Sequence, residues 1–433
     1  MNPSTIEIIA TVLFAIAVIH TFMVKKFEHI AHKYPEGSVG ENFFHFLGEV
    51  EAVFGLWALF LFVAFIAIKG NHDAVAYLEG HSSLGVVNYT EPAFVFVIMC
   101  MAGTRPVIKL AENIIVFFAK LLPFNEKMSF YATTMVMGPL LGSFITEPAS
   151  MTVTALILLE TFYKKEMSDK FKYATIGLLF VNVSIGGTLT HFAAPPVLMV
   201  ASKWGYTMSY MFLNFGYKAI FACIVSTAII TMRFKGELQG KIDAPQEGGA
   251  EMKAPLWVTA FHLGFLGLVV FYSHHMAVFM GIFLFFLGFA VVTQEYQDKL
   301  KVTESLLVGF FLGGLVTLGS LQAWWLQPLI SKLGDFALFV GATGLTALTD
   351  NAALTYLGTL VEGLSDAAKY NLVAGAVTGG GLTVIANAPN PAGFGILKSA
   401  FGEDGISPLG LLISALIPTL VAAFFFQLLP GIG

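Results

Sequence analysis

The sequence has little charge for its length. Only 12% of the 433 residues are Asp, Glu, Lys or Arg, and 56% are hydrophobic, whereas soluble domains carry about 25% charged residues. The stretches Ala254 to Gln294 and Ile406 to Gly433 contain no charged residue at all. Because a membrane helix needs about 20 apolar residues, the first stretch is long enough for two helices. The composition therefore excludes an ordinary soluble protein and predicts an all-α membrane protein.

Other absences narrow the class of protein. The net charge is −5, so no basic surface indicates a nucleic-acid partner. The two cysteines, Cys100 and Cys223, lie in separate apolar segments, which favours buried free thiols. No H-E-x-x-H, G-x-S-x-G or P-loop motif is present, so we expect neither an enzyme nor a cofactor. The apolar N-terminal segment lacks a basic start and a cleavage site, which predicts a first membrane helix.

The apolar runs predict about ten transmembrane helices and two re-entrant hairpins. The runs lie near residues 6–24, 47–68, 87–104, 173–201, 208–232, 255–273, 276–294, 303–319, 371–402 and 407–430. Two further apolar regions, about 129–163 and 335–362, are interrupted by polar residues and predict hairpins that enter the membrane and return. Lys and Arg concentrate in loops that we therefore place in the cytoplasm: 24–33, 163–172, 233–241 and 295–301. The bias predicts a protein of the inner membrane with both termini outside.

An internal repeat divides the chain. ITEPASMTV (145–153) and LTDNAALTY (348–356) share Thr, an acid, Ala and Thr in the same order. GGTLTHFAAPPVL (186–198) and GGGLTVIANAPNP (379–391) then follow in the same order. We predict a first repeat, 1–232, and a second, 254–433, joined by a cytoplasmic linker, 233–253. Each repeat contains its hairpin and then a broken helix, at about 173–201 and 371–402.

The repeats are expected to run in opposite directions through the membrane, because each holds an odd number of crossings. Many secondary transporters have this inverted design, with the substrate site near the midplane between interrupted segments. Glycines and prolines break the two helices at the second motif. Oxygens suited to sodium come from hydroxyl and amide side chains in both motifs, namely Thr146, Thr188, Thr190, Thr349, Thr383, Asn351 and Asn387.

Each predicted hairpin tip carries one acid, Glu147 or Asp350. Charge at the bilayer centre costs roughly 2.5–3.5 kcal/mol, so such an acid is expected to have a function. A carboxyl group can hold either a proton or a metal cation, one excluding the other, which is the simplest chemistry for cation/proton exchange. Alternatively, the two acids only cap helix N-termini. His191 is a candidate proton relay, with a hydrogen-bonded structural histidine as the more common alternative.

The motifs resemble those of the ion transporter superfamily. TALTDNAALT and GGGLTVIANAPN are similar to the acid–Asn hairpin and the following helix break of D-type sodium/proton antiporters and arsenite permeases. The first hairpin departs from this pattern, since it has Glu-Pro in place of acid-Asn. The resemblance implies a homodimer, an elevator-like motion and two sets of cation-site residues. These are Asp350, Asn351, Thr383 and Asn387, with Glu147, Thr188 and Thr190 as their counterparts.

The sequence therefore predicts a secondary active transporter. We expect a sodium/proton antiporter in which Glu147 and Asp350 exchange sodium for protons by alternating access, in contact with the lipid bilayer. A sodium-coupled symporter of an organic or inorganic anion remains the alternative. The motifs contain no Lys or Arg, which counts against a highly charged anion.

Overall fold

The computed structural model describes residues 3–164, 167–242, 254–402 and 405–432, and these form helices and connecting turns without any β-strand. The predicted linker is described only in part, because residues 243–253 lie outside the described residues. The first repeat region contains α1 Thr5–Ala31, α2 Val39–Leu47, α3 Val53–Lys69, α4 Asn71–Leu78, α5 Thr90–Ala102, α6 Arg105–Ala119, α7 Glu126–Ile145, α8 Glu147–Leu158, α9 Asp169–Gly186, α10 Pro195–Trp204, α11 Met208–Met211 and α12 Tyr217–Arg233. The second contains α13 Leu256–Phe271, α14 Met276–Val292, α15 Val302–Gly319, α16 Ala323–Ile330, α17 Asp335–Thr346, α18 Asn351–Thr359, α19 Asp366–Gly379, α20 Asn390–Leu397 and α21 Pro408–Leu428.

Several of the described helices are long and apolar enough to cross a membrane. There are six such spans: Thr5–Ala31, Val50–Lys69, Glu126–Ile145, Met208–Arg233, Val302–Gly319 and Pro408–Leu428. A seventh is formed if α5 and α6, which meet at a bend of 70°, count as one span. The adjacent helices α13 and α14 are apolar but have only 16 and 17 residues. The chain is thus an integral membrane protein of α-helices, and the count of ten crossings stays a prediction.

The helices pack in two groups. In the first group, α15 packs against α3 and α5, α3 packs against α1, and α14 packs against α5. The crossing of α3 and α15 is close, because a Cβ added to Gly314 would lie 2.2 Å from the backbone nitrogen of Gly55. In the second group, α7 packs against α8 and α9, α17 packs against α19, and α21 packs against α9 and α12. One hydrophobic cluster includes residues of both groups, such as Phe94 of α5 and Ala352 of α18, and two further clusters lie mainly within the second group.

Each predicted hairpin region holds two helices joined by a short turn, and each predicted broken helix holds a 3₁₀ turn, while their re-entry into the membrane stays a prediction. Helices α7 and α8 meet at the single residue Thr146, and α17 is joined to α18 by residues 347–350. A 3₁₀ turn, Gly187–Leu189, follows α9 before α10 begins, and Val384–Ala386 forms the corresponding turn between α19 and α20. The two hairpins differ in size: α7 has 20 residues, which is long enough to cross a bilayer, whereas α17 has 12.

The helices that follow the two breaks exchange partners. Helix α10, after the first break, packs against α18 of the second hairpin, and α20, after the second break, packs against α8 of the first hairpin. The broken helices also cross, since the Ser184 hydroxyl donates to the carbonyl of Val377 at 2.7 Å. Each hairpin tip is therefore bordered by backbone from both halves of the chain.

Candidate functional site

The tip of the first hairpin has an unusual backbone conformation. Thr146 has φ 72° and ψ 150° and is the one described non-glycine residue with positive φ. This region of φ and ψ is adopted almost only by glycine, and it costs of the order of 1–3 kcal/mol for another residue. Thr146 is also the N-cap of α8, so the sharp turn places Glu147 at the first position of that helix.

Glu147 is the most enclosed acid at the two tips. Its side chain is fully buried, and its Oε2 accepts a hydrogen bond of 3.1 Å from Nδ2 of Asn387. Its Oε1 has no hydrogen-bond partner among the described residues. The Oδ1 atom of Asn387 is likewise buried without a partner among them. A carboxylate oxygen and an amide oxygen, from opposite halves of the chain, are therefore both uncommitted at one place.

The first helix break holds Glu147 from the other side. A Cβ on Gly187 would lie 2.3 Å from Oε1 of Glu147, so only glycine allows this close approach. The hydroxyl of Thr188 donates to the carbonyl of Ile185 at 2.7 Å, and that of Thr190 donates to the carbonyl of Ser143 at 2.7 Å. Their hydrogens are thus used to hold the backbone, and only their oxygen lone pairs remain for a cation.

Asp350 has a different role in the second hairpin. It is the N-cap of α18, and its Oδ1 accepts hydrogen bonds from the backbone nitrogens of Ala352 at 2.8 Å and Ala353 at 3.1 Å. One oxygen of Asp350 therefore caps the helix, as the alternative interpretation of the two acids predicts. The preceding Thr349 hydroxyl donates to the carbonyl of Leu345 at 3.0 Å. Asp350 is only partly buried, unlike Glu147.

Asn351 occupies the position most like that of Glu147. Its side chain is fully buried, and neither its amide oxygen nor its amide nitrogen has a partner among the described residues. A Cβ on Gly380 would lie 2.8 Å from Nδ2 of Asn351, just as one on Gly187 would meet Glu147. Each first residue of a hairpin's second helix thus lies against a glycine of the break in its own half.

One pair of matching hydrogen bonds aligns the two hairpins with a shift of one residue from the match seen in the sequence. Thr383 donates to the carbonyl of Ala347 at 2.9 Å, as Thr190 does to that of Ser143. The same shift in numbering that takes Ser143 to Ala347 takes Glu147 to Asn351 and takes Thr146 to Asp350. The sequence matches Glu147 with Asp350 because each is an acid that follows a threonine. By these contacts, Glu147 instead corresponds to Asn351, and Asp350 corresponds to Thr146.

Three polar residues at the breaks are not singled out by the sequence pattern. Asn390, between two prolines of the second motif, donates through Nδ2 to the carbonyls of Gly380 at 2.7 Å and Thr383 at 2.8 Å. The Ser143 hydroxyl donates to the carbonyl of Gly186 at 2.7 Å, and Ser184 joins the two broken helices as described above. Asn390 could have been noticed as the one amide flanked by prolines, but no local signal marks the two serines.

The candidate relay His191 lies beside the first break and is partly buried. Its ring lies nearly perpendicular to that of Phe192, with centroids 5.6 Å apart, and its Nδ1 has no hydrogen-bond partner among the described residues. The expected structural hydrogen bond at Nδ1 is therefore not seen in this part of the chain, and a role in proton transfer stays a prediction.

Two adjacent cavities border the hairpin tips. The smaller, of about 290 Å³, is mostly apolar and has Glu51, Thr349, Asp350 and Asn387 in its lining. The larger, of about 550 Å³, is lined by Thr146, Pro148 and Thr152 of the first hairpin and also by charged residues. These charged residues are Glu49, Glu51, Lys301 and Glu304.

The donor atoms at the tips suit a hard monovalent cation. Hard cations prefer oxygen ligands, and the uncommitted atoms here are carboxylate, amide and hydroxyl oxygens. Among the described residues, no group of three or more His, Cys, Asp and Glu could hold a metal ion. The histidines near residues 29–45 thus form no such group, and the chemistry of the site is that of oxygen ligands around a single buried carboxyl.

The fold and the site together define a helical membrane protein with an oxygen-rich polar centre between two hairpins. The chain belongs to a family described as "Putative Na+/H+ antiporter", whose family model matches residues 5–429. This membership indicates a membrane transporter with ion substrates, and the prediction of a sodium/proton antiporter family is confirmed, whereas the D-type branch stays a prediction. No curated protein matches the chain in sequence. The wider resemblance to arsenite permeases and the ion transporter superfamily stays a prediction.

Proposed function

We propose that the protein exchanges sodium ions for protons at Glu147 by alternating access. One observation carries the proposal: Glu147 is fully buried, one of its carboxylate oxygens has no partner among the described residues, and the other faces Asn387. Burial of a charged carboxylate without compensation is unfavourable, so the group is stable either with a proton or with a cation bound. Sodium and a proton therefore compete for the same oxygen.

Asn387 and Glu147 are the two ligands that the geometry favours most. In the proposed site, Oε1 of Glu147 and Oδ1 of Asn387 bind sodium, and Thr188 and Thr190 add hydroxyl lone pairs. Asp350, Asn351 and Thr383 form the second half-site, in which Asp350 serves both as a helix cap and as a carboxylate for proton exchange. Thr146 and Thr349 flank the two tips, and His191 relays protons. This assignment makes the two half-sites unequal, with Glu147 as the principal acid.

Competition between sodium and a proton determines how the apparent affinity for sodium changes with pH. At low pH a proton occupies Glu147 and the apparent affinity for sodium falls; at high pH the carboxylate is free and sodium binds more readily. A gradient of either ion can then drive the other through the protein, provided that Glu147 faces one side of the membrane at a time.

We also propose the finer architecture that the sequence predicts: ten crossings, two re-entrant hairpins and inverted repeats over 1–232 and 254–433. The matching contacts of Thr190 and Thr383 support the repeat, and the exchanged packing of α10 and α20 supports a site shared by both halves. The proposed orientation places both termini outside an inner membrane and the linker 233–253 in the cytoplasm. The second helix group would move against the first in an elevator-like cycle, within a homodimer.

The geometry gives less support to a sodium-coupled anion symporter. An anion needs a cationic or dipolar partner, and Lys301 is the one basic side chain among the described residues that line the two cavities at the tips. Three carboxylates line the same cavity as Lys301, so a highly charged anion would meet repulsion there.

The test is ion exchange by the purified protein in proteoliposomes. An outward sodium gradient should acidify the lumen in vesicles that contain the wild type, and Glu147→Gln should abolish this change. Glu160→Gln is the matched control, because Glu160 is an exposed acid of the same hairpin and should leave exchange intact. Full exchange by Glu147→Gln, or movement of sodium that requires an added anion, would refute the proposal.

A further inference from the structure

Glu51 occupies a place that the repeat motifs do not account for. It lies in the 3₁₀ turn Val50–Ala52, directly before α3, and thus belongs to the first helix group. It is partly buried, whereas its neighbour Glu49 is exposed. An acid before a helix commonly only complements the helix dipole. The surroundings of Glu51 indicate a more specific role.

Glu51 lies on the wall between the two cavities. The residues that line both are Glu51, Val308, Ala388 and Pro391, so Glu51 is the one charged residue shared by them among those described. The larger cavity reaches the first hairpin at Thr146, and the smaller reaches the second hairpin at Asp350. A cation at Glu51 would therefore be next to the space in front of either tip.

Buried residues with uncommitted oxygens border both spaces independently of the acids. Thr146, which is 2% exposed, lines the larger cavity, and its Oγ1 atom has no partner among the described residues. Asn387, which is 1% exposed, lines the smaller cavity, and its Oδ1 atom has no partner among them either. Each cavity is thus bordered by a buried residue with an uncommitted oxygen.

The charges around the cavities favour a cation over an anion as the ligand. Glu49 and Glu51 come from the 3₁₀ segment, Glu304 and Lys301 come from the start of α15, and Asp350 comes from the second hairpin. Four carboxylates against one ammonium group give a negative potential, which raises the local concentration of cations. An apolar wall of the smaller cavity strengthens this attraction because it lowers the local dielectric constant.

We propose that Glu51 is a second binding residue for sodium, which holds the ion in front of the hairpin tips before it reaches Glu147. This inference rests on the proposed function, because it assigns an additional station to the same transported ion. The ligand class is a monovalent alkali cation, bound by the Glu51 carboxylate together with oxygens of the tips. Glu51 adds affinity for sodium and is not the group that exchanges its proton in the central step.

The test compares three variants in proteoliposomes and in detergent. Glu51→Gln should raise the KM for sodium roughly tenfold and leave the maximal rate within about twofold of the wild type, because a binding residue outside the exchanging site is lost. Glu160→Gln removes an exposed charge that lines neither cavity and should change neither value. Glu51→Asp keeps the carboxylate and should recover most of the affinity. Stabilisation of the purified protein by sodium chloride, measured as a thermal shift, should be smaller in Glu51→Gln only.

The outcomes separate this inference from the proposed function. If Glu51→Gln has the same KM for sodium and the same sodium-dependent thermal shift as Glu160→Gln, the second station does not exist. If Glu51→Gln is poorly folded, the test rests on Glu51→Asp. A KM for sodium in Glu51→Asp that does not return toward the wild-type value, together with a sodium-dependent thermal shift equal to that of the wild type, overturns the inference as well. If the wild type itself moves no protons in response to sodium, the proposed function fails, and the thermal shifts alone then decide whether Glu51 binds the ion.

Discussion

Glu147 and Asp350 differ in what their oxygens contact. Asp350 uses one oxygen to accept two backbone hydrogen bonds, which stabilises the start of α18. Glu147 caps nothing, since Thr146 is the N-cap of its helix, and it keeps one oxygen without a partner among the described residues. At the scale of single residues, we therefore assign ion exchange mainly to Glu147, and to Asp350 both a structural role as a helix cap and a smaller part in exchange.

Gly187 is predicted to be essential for the position of Glu147. In Gly187→Ala, the new methyl group would lie 2.3 Å from Oε1, so the carboxylate must move away. We expect the KM for sodium in proteoliposome exchange to rise at least tenfold, since a displaced ligand loses more than about 1.4 kcal/mol of binding.

Gly344→Ala is the matched control for this change. Gly344 lies within α17, and no atom is within 4 Å of the position that its Cβ would take. Alanine is favoured over glycine in a helix by up to about 1 kcal/mol, so this variant should be slightly more stable and should exchange normally. A wild-type KM in Gly187→Ala would show that Oε1 is not a ligand.

The sequence predicts the residue types at the site better than their pairing. Glycines, prolines and an acid in an apolar segment are visible in the chain itself, and they mark Glu147, Asp350 and Asn387. The contact between Glu147 and Asn387 joins residues 240 positions apart, and it depends on the packing of α20 against α8. The one-residue shift between the hairpins is equally hidden, because it depends on where each second helix begins and not on which residues are alike.

At the scale of elements, the first hairpin is held in a strained turn. The backbone of Thr146 lies in a region that nearly only glycine adopts, so Thr146→Gly should increase the free energy of unfolding by about 1–2 kcal/mol. The measurement is thermal or denaturant unfolding of the purified protein in detergent. We also expect slower exchange, because the buried Thr146 hydroxyl is lost from the tip.

The same substitution within α8 provides the comparison. Thr152→Gly places glycine in a regular helix, where it costs about 1 kcal/mol, so this variant should be less stable than the wild type. If Thr146→Gly is destabilised as much as Thr152→Gly, the turn stores no strain.

The element boundaries were accessible from local signals. The 3₁₀ turns of the breaks follow glycines and precede prolines, and the paired helices run over residues 126–158 and 335–359, near the predicted hairpin regions 129–163 and 335–362. The length of α7 was not accessible, because Pro139 lies inside the helix and gives no sign that the helix continues on both sides. A buried lysine on α12, Lys218, is another feature without a local signal: it donates to the hydroxyl of Tyr370 at 2.8 Å.

At the scale of the whole molecule, the proposed orientation can be tested by labelling. Thr5→Cys and Ile432→Cys place thiols at exposed positions near the two ends of the chain, and Lys235→Cys places one after α12. A membrane-impermeant maleimide added to intact cells should label the first two variants and spare Lys235→Cys, which should react only after the membrane is opened. Both native cysteines are buried, so the unmodified protein gives a low background. Labelling of Lys235→Cys from outside would reverse the orientation.

The two helix groups contribute different parts of the proposed ion site. The first group presents Glu51 and one side of the cavity walls, and the second carries both hairpins and both breaks, which form the other side. Because α10 and α20 each pack on the hairpin of the other half, the two tips cannot shift independently without breaking that packing. We therefore expect both half-sites to change their exposure together.

The most direct measurement of the central claim is proton release on sodium binding. Sodium chloride is added to the purified protein in weakly buffered detergent solution, and the pH is followed against choline chloride as the control salt. The account predicts that sodium releases protons from the wild type and from Glu160→Gln, and fewer from Glu147→Gln. Equal release from Glu147→Gln and the wild type, or no release from the wild type at all, would contradict the claim that sodium and a proton compete for Glu147.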